Sequence, residues 1–238
     1  MTITNRRVIF EKRPEGWVSE DCFRVEDAPV PELGDGDVLV RNIYMSVDPY
    51  MRGRMNDEKS YTAGFALGRV MQCGAVGEVV ESRNPKFEAG QIVTGMLNWE
   101  THTAVPGGAG IVRIDPTLAP LPYFLGILGM PGFTAWYGLL KIGEPKAGET
   151  VYVSAASGAV GQVVGQIAKL KGCRVVGSAG DDAKCKWCVE GCGFDACFNY
   201  KTVDSLEDAL KQHCPEGIDI YFENVGGRML DAVLTFSK

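Results

Sequence analysis

One stretch of the chain, residues 149–182, constrains the fold more than any other. It opens with a β-branched apolar run at 150–155, passes through a glycine-containing turn, and continues as a helical pattern at 160–171. Gly172 ends this pattern, and a second apolar run follows at 174–178. Strand, helix and strand in this order predict a βαβ unit, in which a crossover helix joins two parallel strands.

The turn inside this unit has the composition of a dinucleotide-binding loop. It reads Ser157-Gly158-Ala159-Val160-Gly161, and with Ala155 before it the pattern is AxxGxxG, with an alanine in place of the first glycine. Small residues let the backbone approach phosphates, and free N–H groups at the helix start attract the anion. We therefore predict that Gly158, Ala159, Val160 and Gly161 bind a pyrophosphate. The alternative is a turn that only packs a helix on a sheet, because the glycine pattern alone is weak evidence.

The composition narrows the class of protein. The chain has 238 residues, of which 45% are hydrophobic and 23% charged, so it can bury a core. A net charge of −6 argues against a general nucleic-acid surface. No apolar run reaches the length of a membrane span, and the N-terminal residues lack the apolar segment of a secretory signal. Eight cysteines without such a signal predict reduced thiols and a cytoplasmic location.

The predicted elements divide the chain near residue 120. Residues 1–120 contain short strand patterns separated by glycine and proline turns, which predict an irregular β-barrel or sandwich. Residues 121–238 alternate helices and strands, as in a parallel sheet with helices on both faces. Helical patterns at 121–128 and 133–140 are separated by Pro131-Gly132. The predicted strands are 7–11, 23–27, 37–46, 70–82, 91–95, 101–105 and 111–114 in the first part, and 150–155, 174–178, 196–200 and 218–224 in the second.

Several motifs in the same order resemble one known family, the zinc-independent branch of the medium-chain dehydrogenases/reductases. The resemblance covers nearly the whole chain and is strongest to the curcumin reductase type, within a family that includes prostaglandin reductases and alkenal double-bond reductases. The motifs are SVDPYMRGRM at 46–55, GMPGFT at 129–134, AASGAVG at 155–161, KLKGCRVVG at 169–177, GFD at 193–195, NY at 199–200 and ENVGG at 223–227.

The resemblance implies a fold and an activity. Residues 1–120 are expected to form a GroES-like substrate domain, and residues 121–238 a Rossmann domain that binds NADPH. The implied reaction is the NADPH-dependent reduction of a carbon–carbon double bond next to a carbonyl, in enones or alkenals, without a metal. Members of the family usually form homodimers when full length.

The second strand of the βαβ unit bears on the choice between NAD and NADP. An NAD site places an acid there, and this strand ends Gly177-Ser178-Ala179-Gly180 without one. Asp181 lies at about the spacing of a ribose acid, but we favour Asp181 or Asp182 as the N-cap of the next helix. Lys184 then falls in the first turn of that helix. The resemblance assigns the 2′-phosphate to Lys184 and Tyr200, and cofactor ribose or amide contacts to Asn224. Without the resemblance, Lys184 would be interpreted as a surface lysine, Tyr200 as an aromatic residue at a strand end and Asn224 as a turn residue.

The sequence argues against a catalytic zinc. The only histidines are His102 and His213, no Gly-His-Glu motif occurs, and residues 46–50 contain no cysteine. Cys185, Cys188 and Cys192 recur at i, i+3 and i+7 on a predicted helix, which is the pattern of a packed stripe. Because four thiolates that include Cys197 would also suit zinc, a structural zinc site is the alternative.

Tyr50, in the Asp48–Arg52 segment, is the best candidate for a catalytic residue. Reduction of an enone needs a donor where negative charge gathers on the carbonyl oxygen, and a tyrosine hydroxyl can supply it. By the resemblance Tyr50 lines the substrate site, whereas otherwise it is a core aromatic beside Pro49. By the same resemblance Met130 and Thr134 lie near the nicotinamide.

The doubly wound fold has six strands in the order 3-2-1-4-5-6, and only four are found here. We therefore expect a Rossmann domain truncated after its fourth strand, with an exposed strand edge, weak NADPH binding and poor turnover. Two alternatives stay open. One is a quinone reductase of the same superfamily, and the other is a non-catalytic fragment that binds NADPH.

Overall fold

The computed structural model describes residues 4–238, whose contacts divide the chain into two compact units, Met1–Leu125 and Gly126–Lys238. The division predicted from sequence at 120/121 falls a few residues before this boundary. Each unit encloses its own apolar core.

The first unit consists of antiparallel strands in two sheets. One sheet has the strand order β2-β1-β4 and the other β7-β3-β5-β6-β8. The strands are β1 (Thr4–Phe10), β2 (Phe23–Pro29), β3 (Val38–Met45), β4 (Arg69–Val70), β5 (Gln72–Ser82), β6 (Ile92–Asn98), β7 (His102–Val105) and β8 (Ile111–Arg113).

A short helix, α1 (Tyr50–Arg54), follows β3 and packs on the core of this unit. Met51 and Met55 lie one helical turn apart and are both buried, so they anchor α1. The helix begins immediately after Pro49, whose fixed φ suits a helix start. Tyr50 is therefore held on the surface of a buried core rather than in a free loop.

The second unit is a parallel four-stranded sheet in the order β11-β10-β9-β12. Numbered within the unit, this order is 3-2-1-4, which confirms the predicted doubly wound arrangement for these four strands. The elements are α2 (Met130–Tyr137), β9 (Thr150–Val153), α3 (Gly161–Leu170), β10 (Arg174–Ala179), α4 (Asp182–Glu190), β11 (Ala196–Asn199), α5 (Leu206–His213), β12 (Ile220–Phe222) and α6 (Gly227–Leu234).

Helices cover both faces of this sheet because successive strand residues point to opposite sides. Val151 and Val153 face a cluster that includes α3 and α4 residues, whereas Tyr152 faces a cluster that includes α5 and α6 residues. Both faces of the central strands are therefore buried, as the continuous apolar runs predict.

Three details differ from the sequence-based expectation. Pro131 does not interrupt a helix but lies in the first turn of α2, where a missing N–H costs nothing. Residues 121–125 form a 3₁₀ helix instead of part of an α-helix. Leu170, the last residue of α3, is 87% exposed, although the spacing of the helical pattern predicts it on the apolar face.

Ile218, two residues before β12, pairs with the segment that follows α6. The Ile218 N–H donates to the Phe236 carbonyl oxygen, and the Lys238 N–H donates to the Ile218 carbonyl oxygen, both at 3.0 Å. Within the described residues β12 itself pairs only with β9 and ends the sheet, so the predicted strand edge is present at residues 220–222. In the described range, no helix combines the length and the apolar character that crossing a bilayer requires.

Candidate functional site

A cavity of about 510 Å³ lies at the carboxyl ends of the strands in the second unit. All four strands contribute to it, because the lining includes Ser178 of β10 and the segments that follow β9, β11 and β12. In open parallel sheets, ligands bind at this edge. The lining residues are Ala155, Ser178, Tyr200, Lys201, Val203, Asp204, Leu206, Val225, Gly226, Arg228 and Met229.

The loop between β9 and α3 passes very close to the helix that it starts. A Cβ at Gly161 would lie 2.5 Å from the Ala155 carbonyl oxygen and 2.9 Å from the Ala156 Cα. Only glycine fits there, which is the close helix–strand packing expected of a dinucleotide-binding turn. Ala155 itself has a φ of 46°, a left-handed conformation that is costly for a residue with a side chain.

This loop presents backbone donors at the start of a ten-residue helix. The Gly158 N–H bonds to the Ala155 carbonyl oxygen, and the Gln162 N–H bonds to the Gly158 carbonyl oxygen. Among residues 4–238, no hydrogen-bond acceptor is found for the N–H groups of Ala159, Val160 and Gly161. Three free donors together with the positive end of the helix dipole form an anion-binding site.

The ends of β9 and β12 are tied together by a polar network around Ser154, which is fully buried. Its Oγ donates to Glu223 Oε1 at 3.0 Å and accepts from the Asn224 N–H at 2.8 Å. Asn224 Nδ2 donates to the Ser154 carbonyl oxygen at 2.9 Å. The amide of Asn224, a predicted cofactor residue, is thus engaged within the protein, and its Oδ1 has no partner in the described structure.

Glu223 organises the loop that follows β12. Its Oε1 accepts hydrogen bonds from the N–H groups of Val225 and Gly226. Burial works to raise the pKa of Glu223, but the nearby Tyr221 hydroxyl and these N–H donors outweigh burial and lower it. Glu223 is therefore ionised at neutral pH and holds the loop on the cavity wall. Its Oε2 and the Tyr221 hydroxyl are buried without a hydrogen bond to any described residue.

Tyr200 and Lys201 follow β11, and their side chains lie against Gly180 at the end of β10. A Cβ at Gly180 would lie 2.9 Å from the Tyr200 hydroxyl and 3.0 Å from Lys201 Cε. Lys184 is exposed in the first turn of α4 and is not part of the cavity lining. The structure thus brings predicted Tyr200 together with Lys201, a residue that the sequence reasoning did not select.

The two acidic residues at the start of α4, Asp181 and Asp182, already accept hydrogen bonds within the protein. Asp181 is the N-cap of α4, and its Oδ1 accepts from the Ala183 N–H at 2.9 Å, which confirms the cap prediction. Asp182 Oδ1 accepts from Asn199 Nδ2 at 2.7 Å. Both carboxylates thus accept hydrogen bonds within the protein, and neither is among the residues that line the cavity.

Met130 and Thr134 lie one turn apart on α2, and both are exposed. The turn before them is tight, because a Cβ at Gly132 would overlap the carbonyl group of Ile127. Both residues belong to the same unit as the cavity but are not among its lining residues.

Tyr50 lies in the first unit and is half-buried. Burial raises the pKa of its hydroxyl, with a further contribution from the Asp48 carboxylate, so the group stays protonated at neutral pH. Tyr61, which is 88% exposed, lies near enough to raise this pKa slightly as well. No described residue forms a hydrogen bond with the Tyr50 hydroxyl, which is therefore available to an acceptor.

The predicted cysteine stripe is confirmed for its first two members. Cys185 and Cys188 are buried on α4, Cys192 is buried two residues after the helix ends, and Cys197 lies in β11. Within residues 4–238, no group of three or more histidine, cysteine or acidic side chains has the geometry to hold a metal ion. The cysteines pack as small apolar residues in the core between α4 and the sheet.

Sequence reasoning missed residues that reach the cavity through the fold. Lys201 and Arg228, which line the cavity, immediately follow the motifs at 199–200 and 223–227, and Glu223, which organises the cavity wall, opens the second motif but was not selected as a site residue. The sequence signal that could have identified these residues is a charged residue next to a motif at the end of a strand. Lys184, Lys201 and Arg228 form no ion pair with a described carboxylate.

Comparison with known proteins matches each of the two units to a protein family. Residues 6–114 match the family described as the N-terminal domain of oxidoreductase, and residues 159–238 match the family described as zinc-binding dehydrogenase. The chain is 48% identical over 230 residues to the NADPH-dependent curcumin reductase of Escherichia coli, covering 97% of this chain and 66% of that protein. It is 48% identical over 241 residues to the NADP(+)-dependent 2-alkenal reductase of Nicotiana tabacum, covering 99% of this chain and 70% of that one.

A solved structure has the same fold. The crystal structure of CurA from Vibrio vulnificus in complex with NADPH superimposes with a TM-score of 0.92 at 43% identity, covering 98% of this chain and 68% of CurA. The quinone oxidoreductase of Escherichia coli, complexed with NADPH, has a TM-score of 0.75 at 18% identity, covering 98% of this chain and 70% of the oxidoreductase, which shows the fold alone. The chain spans about two thirds of the length of these proteins.

Proposed function

The chain belongs to the zinc-independent medium-chain dehydrogenases/reductases, and we propose that it uses NADPH to reduce the carbon–carbon double bond of α,β-unsaturated carbonyl compounds. The observation that carries the proposal is the cavity to which all four strands of the second unit contribute their carboxyl ends. A dinucleotide in an open parallel sheet binds along this edge.

The residues at this edge fit NADPH in three respects. The free N–H groups of Ala159, Val160 and Gly161 suit the pyrophosphate, and Gly158 lets the loop start close to it. Apolar residues such as Leu206 and Met229 line the cavity and suit the adenine ring. Tyr200 and the unpaired lysines nearby suit the phosphate that distinguishes NADPH from NADH.

The bound cofactor would supply a hydride to the β-carbon of the substrate. Tyr50 is our candidate donor to the carbonyl oxygen, where negative charge develops as the double bond is reduced. Because its pKa is raised, the Tyr50 hydroxyl keeps its proton at neutral pH. It can therefore donate a hydrogen bond to the carbonyl oxygen, whereas a phenolate would repel it. Met130 and Thr134 are exposed on α2 and remain the candidates for nicotinamide contacts.

Two alternatives carry less support. A quinone reductase is favoured only by proteins of about 18% identity, whereas the double-bond reductases are 48% identical to this chain. A non-catalytic NADPH-binding protein would keep the strand-end cavity but would not need the free hydroxyl of Tyr50. Homodimer formation stays a prediction of the family resemblance.

The experiment is an assay of NADPH oxidation with a panel of alkenals, enones and quinones. We expect turnover with alkenals or enones, saturated carbonyl products and little turnover with quinones. Turnover of quinones alone would favour the quinone reductase. NADPH binding without any turnover would favour the non-catalytic alternative.

A further inference from the structure

Ala155, which lies between β9 and the turn before α3, has a strained backbone. Its φ is 46°, and among residues 4–238 the only other residue with a side chain and a positive φ is Glu144, at 48°. This conformation brings the Cβ too close to a carbonyl oxygen, so it is costly for any residue with a side chain. Glycine adopts it without a steric penalty. An alanine at position 155 therefore destabilises the fold relative to a glycine.

The turn requires this backbone conformation. The Gly158 N–H donates to the Ala155 carbonyl oxygen at 2.9 Å, and the same oxygen would lie 2.5 Å from a Cβ at Gly161. The Ala156 N–H donates to the Ser178 carbonyl oxygen, also at 2.9 Å. The peptide unit that joins Ala155 to Ala156 is thus held at both its oxygen and its nitrogen, so the strain is not relieved by rotating this unit.

Core packing does not account for the methyl group of Ala155. The next residue, Ala156, is fully buried and belongs to the apolar cluster that includes α3 and α4 residues. Ala155 is partly exposed and belongs to none of the apolar clusters of the described residues. It borders the strand-end cavity instead, together with Val225 and Gly226. Strained residues cluster at ligand-binding sites, and an observed outlier at such a place supports a role toward the ligand.

We propose that Ala155 is an affinity-determining residue, whose methyl group forms part of the cavity wall on which NADPH packs. The inference rests on the proposed function, and it gives a side chain a role in a turn that otherwise uses backbone N–H groups. A methyl group covered by a ligand tightens binding by about fourfold. The same methyl group lowers the stability of the chain when no ligand is bound, so affinity and stability oppose each other at this residue.

The test is Ala155→Gly, which fits the turn backbone and removes only the methyl group. The dissociation constant for NADPH is measured by calorimetry, and the midpoint of thermal unfolding is measured without nucleotide. The midpoint should rise by about 1–4 °C, because relief of the left-handed strain outweighs the extra freedom of glycine in the unfolded chain. Binding of NADPH should weaken by about 3- to 10-fold. A residue that served only the fold would not move these two quantities in opposite directions.

Two further variants isolate the methyl group. Glu144→Gly relieves the same backbone conformation at an exposed residue that does not line the cavity. It should raise the midpoint as Ala155→Gly does and leave the dissociation constant unchanged. Ala155→Ser keeps a Cβ at position 155 and should retain most of the affinity for NADPH.

The outcomes distinguish this inference from the proposed function. If the unaltered chain does not bind NADPH, the proposed function fails and the role of Ala155 with it. If the unaltered chain binds NADPH and Ala155→Gly binds it equally well or more tightly, the role of the methyl group alone is overturned. A lower midpoint in Ala155→Gly would show that the methyl group stabilises the fold, which would also overturn the inference.

Discussion

Asn224 and Ser154 hold the carboxyl ends of β12 and β9 together. Asn224 Nδ2 donates to the Ser154 carbonyl oxygen at 2.9 Å, and the Asn224 N–H donates to Ser154 Oγ at 2.8 Å. The two residues lie 70 positions apart in the chain, so this pairing forms only when the sheet does. It fixes the spacing of two strand ends at the edge where the cofactor is proposed to bind.

Asn224→Asp is expected to destabilise the second unit. The aspartate loses the donor and places a carboxylate against the Ser154 carbonyl oxygen, which should lower the free energy of unfolding by about 1–3 kcal/mol. Urea denaturation followed by circular dichroism measures this change. Gln212→Glu makes the same amide-to-acid change at an exposed residue of α5 and should have little effect. Equal effects of both changes would contradict the structural role of Asn224.

Gly161→Ala is expected to disrupt the turn before α3. The added Cβ would contact the backbone of Ala155 and Ala156, which cannot move without shifting the strand. We expect a loss of about 3 kcal/mol in the free energy of unfolding, together with loss of NADPH binding. Gly158→Ala is the control, because its Cβ would meet only the Ala155 carbonyl oxygen at 3.1 Å. If thermal denaturation ranks Gly158→Ala as the worse change, the packing of this turn is misassigned.

Glu223→Gln is expected to make stability depend less on pH. Since the folded state lowers the pKa of Glu223 below its usual 4.5, the carboxylate stabilises the fold above that pH, and the contribution is lost as the pH falls through the folded value. The variant should therefore be less stable by about 1–2 kcal/mol near neutral pH, and the difference should shrink below about pH 4.5.

The measurement for Glu223→Gln is the free energy of unfolding between about pH 3 and 7. Glu216→Gln, at an exposed residue outside the site, provides the control. A difference that grows as the pH falls would contradict the assignment of an ionised Glu223.

Local sequence signals predicted much of the fold. Asp181 before a helical pattern and cysteines at i, i+3 and i+7 specify a cap and a buried face through neighbours along the chain. The four strands and their order followed from the βαβ rhythm. The prediction that Pro131 interrupts a helix was wrong, because a proline inside a helical pattern and a proline in the first helical turn look alike in sequence.

The cavity could be predicted only in part. Glu223 gains its role from Ser154, 69 positions away, and Lys201 lies beside Gly180, which follows the neighbouring strand. Which side chains meet across neighbouring strand ends depends on the register of the strands, and a single sequence does not specify that register. Motifs identify the strand ends, but the side chains that meet between them appear only in the folded sheet.

Tyr50→Phe is expected to reduce turnover without weakening cofactor binding. Losing one donor to a developing oxyanion costs about 100-fold in kcat, while the phenyl ring keeps the packing on the core of the first unit. The NADPH dissociation constant and kcat are measured together. Tyr123→Phe, at an exposed residue of the same unit, should change neither. An unchanged kcat in Tyr50→Phe would remove Tyr50 from the chemistry.

The central claim is that the carboxyl edge of the four-stranded sheet binds NADPH. Calorimetric titration of the chain with NADPH and with NADH, at the same ionic strength, tests it most directly. The account predicts saturable binding of NADPH that is at least about tenfold tighter than binding of NADH, as expected for a charge-assisted contact to the 2′-phosphate. Equal affinities, tighter binding of NADH or no binding of either would contradict it.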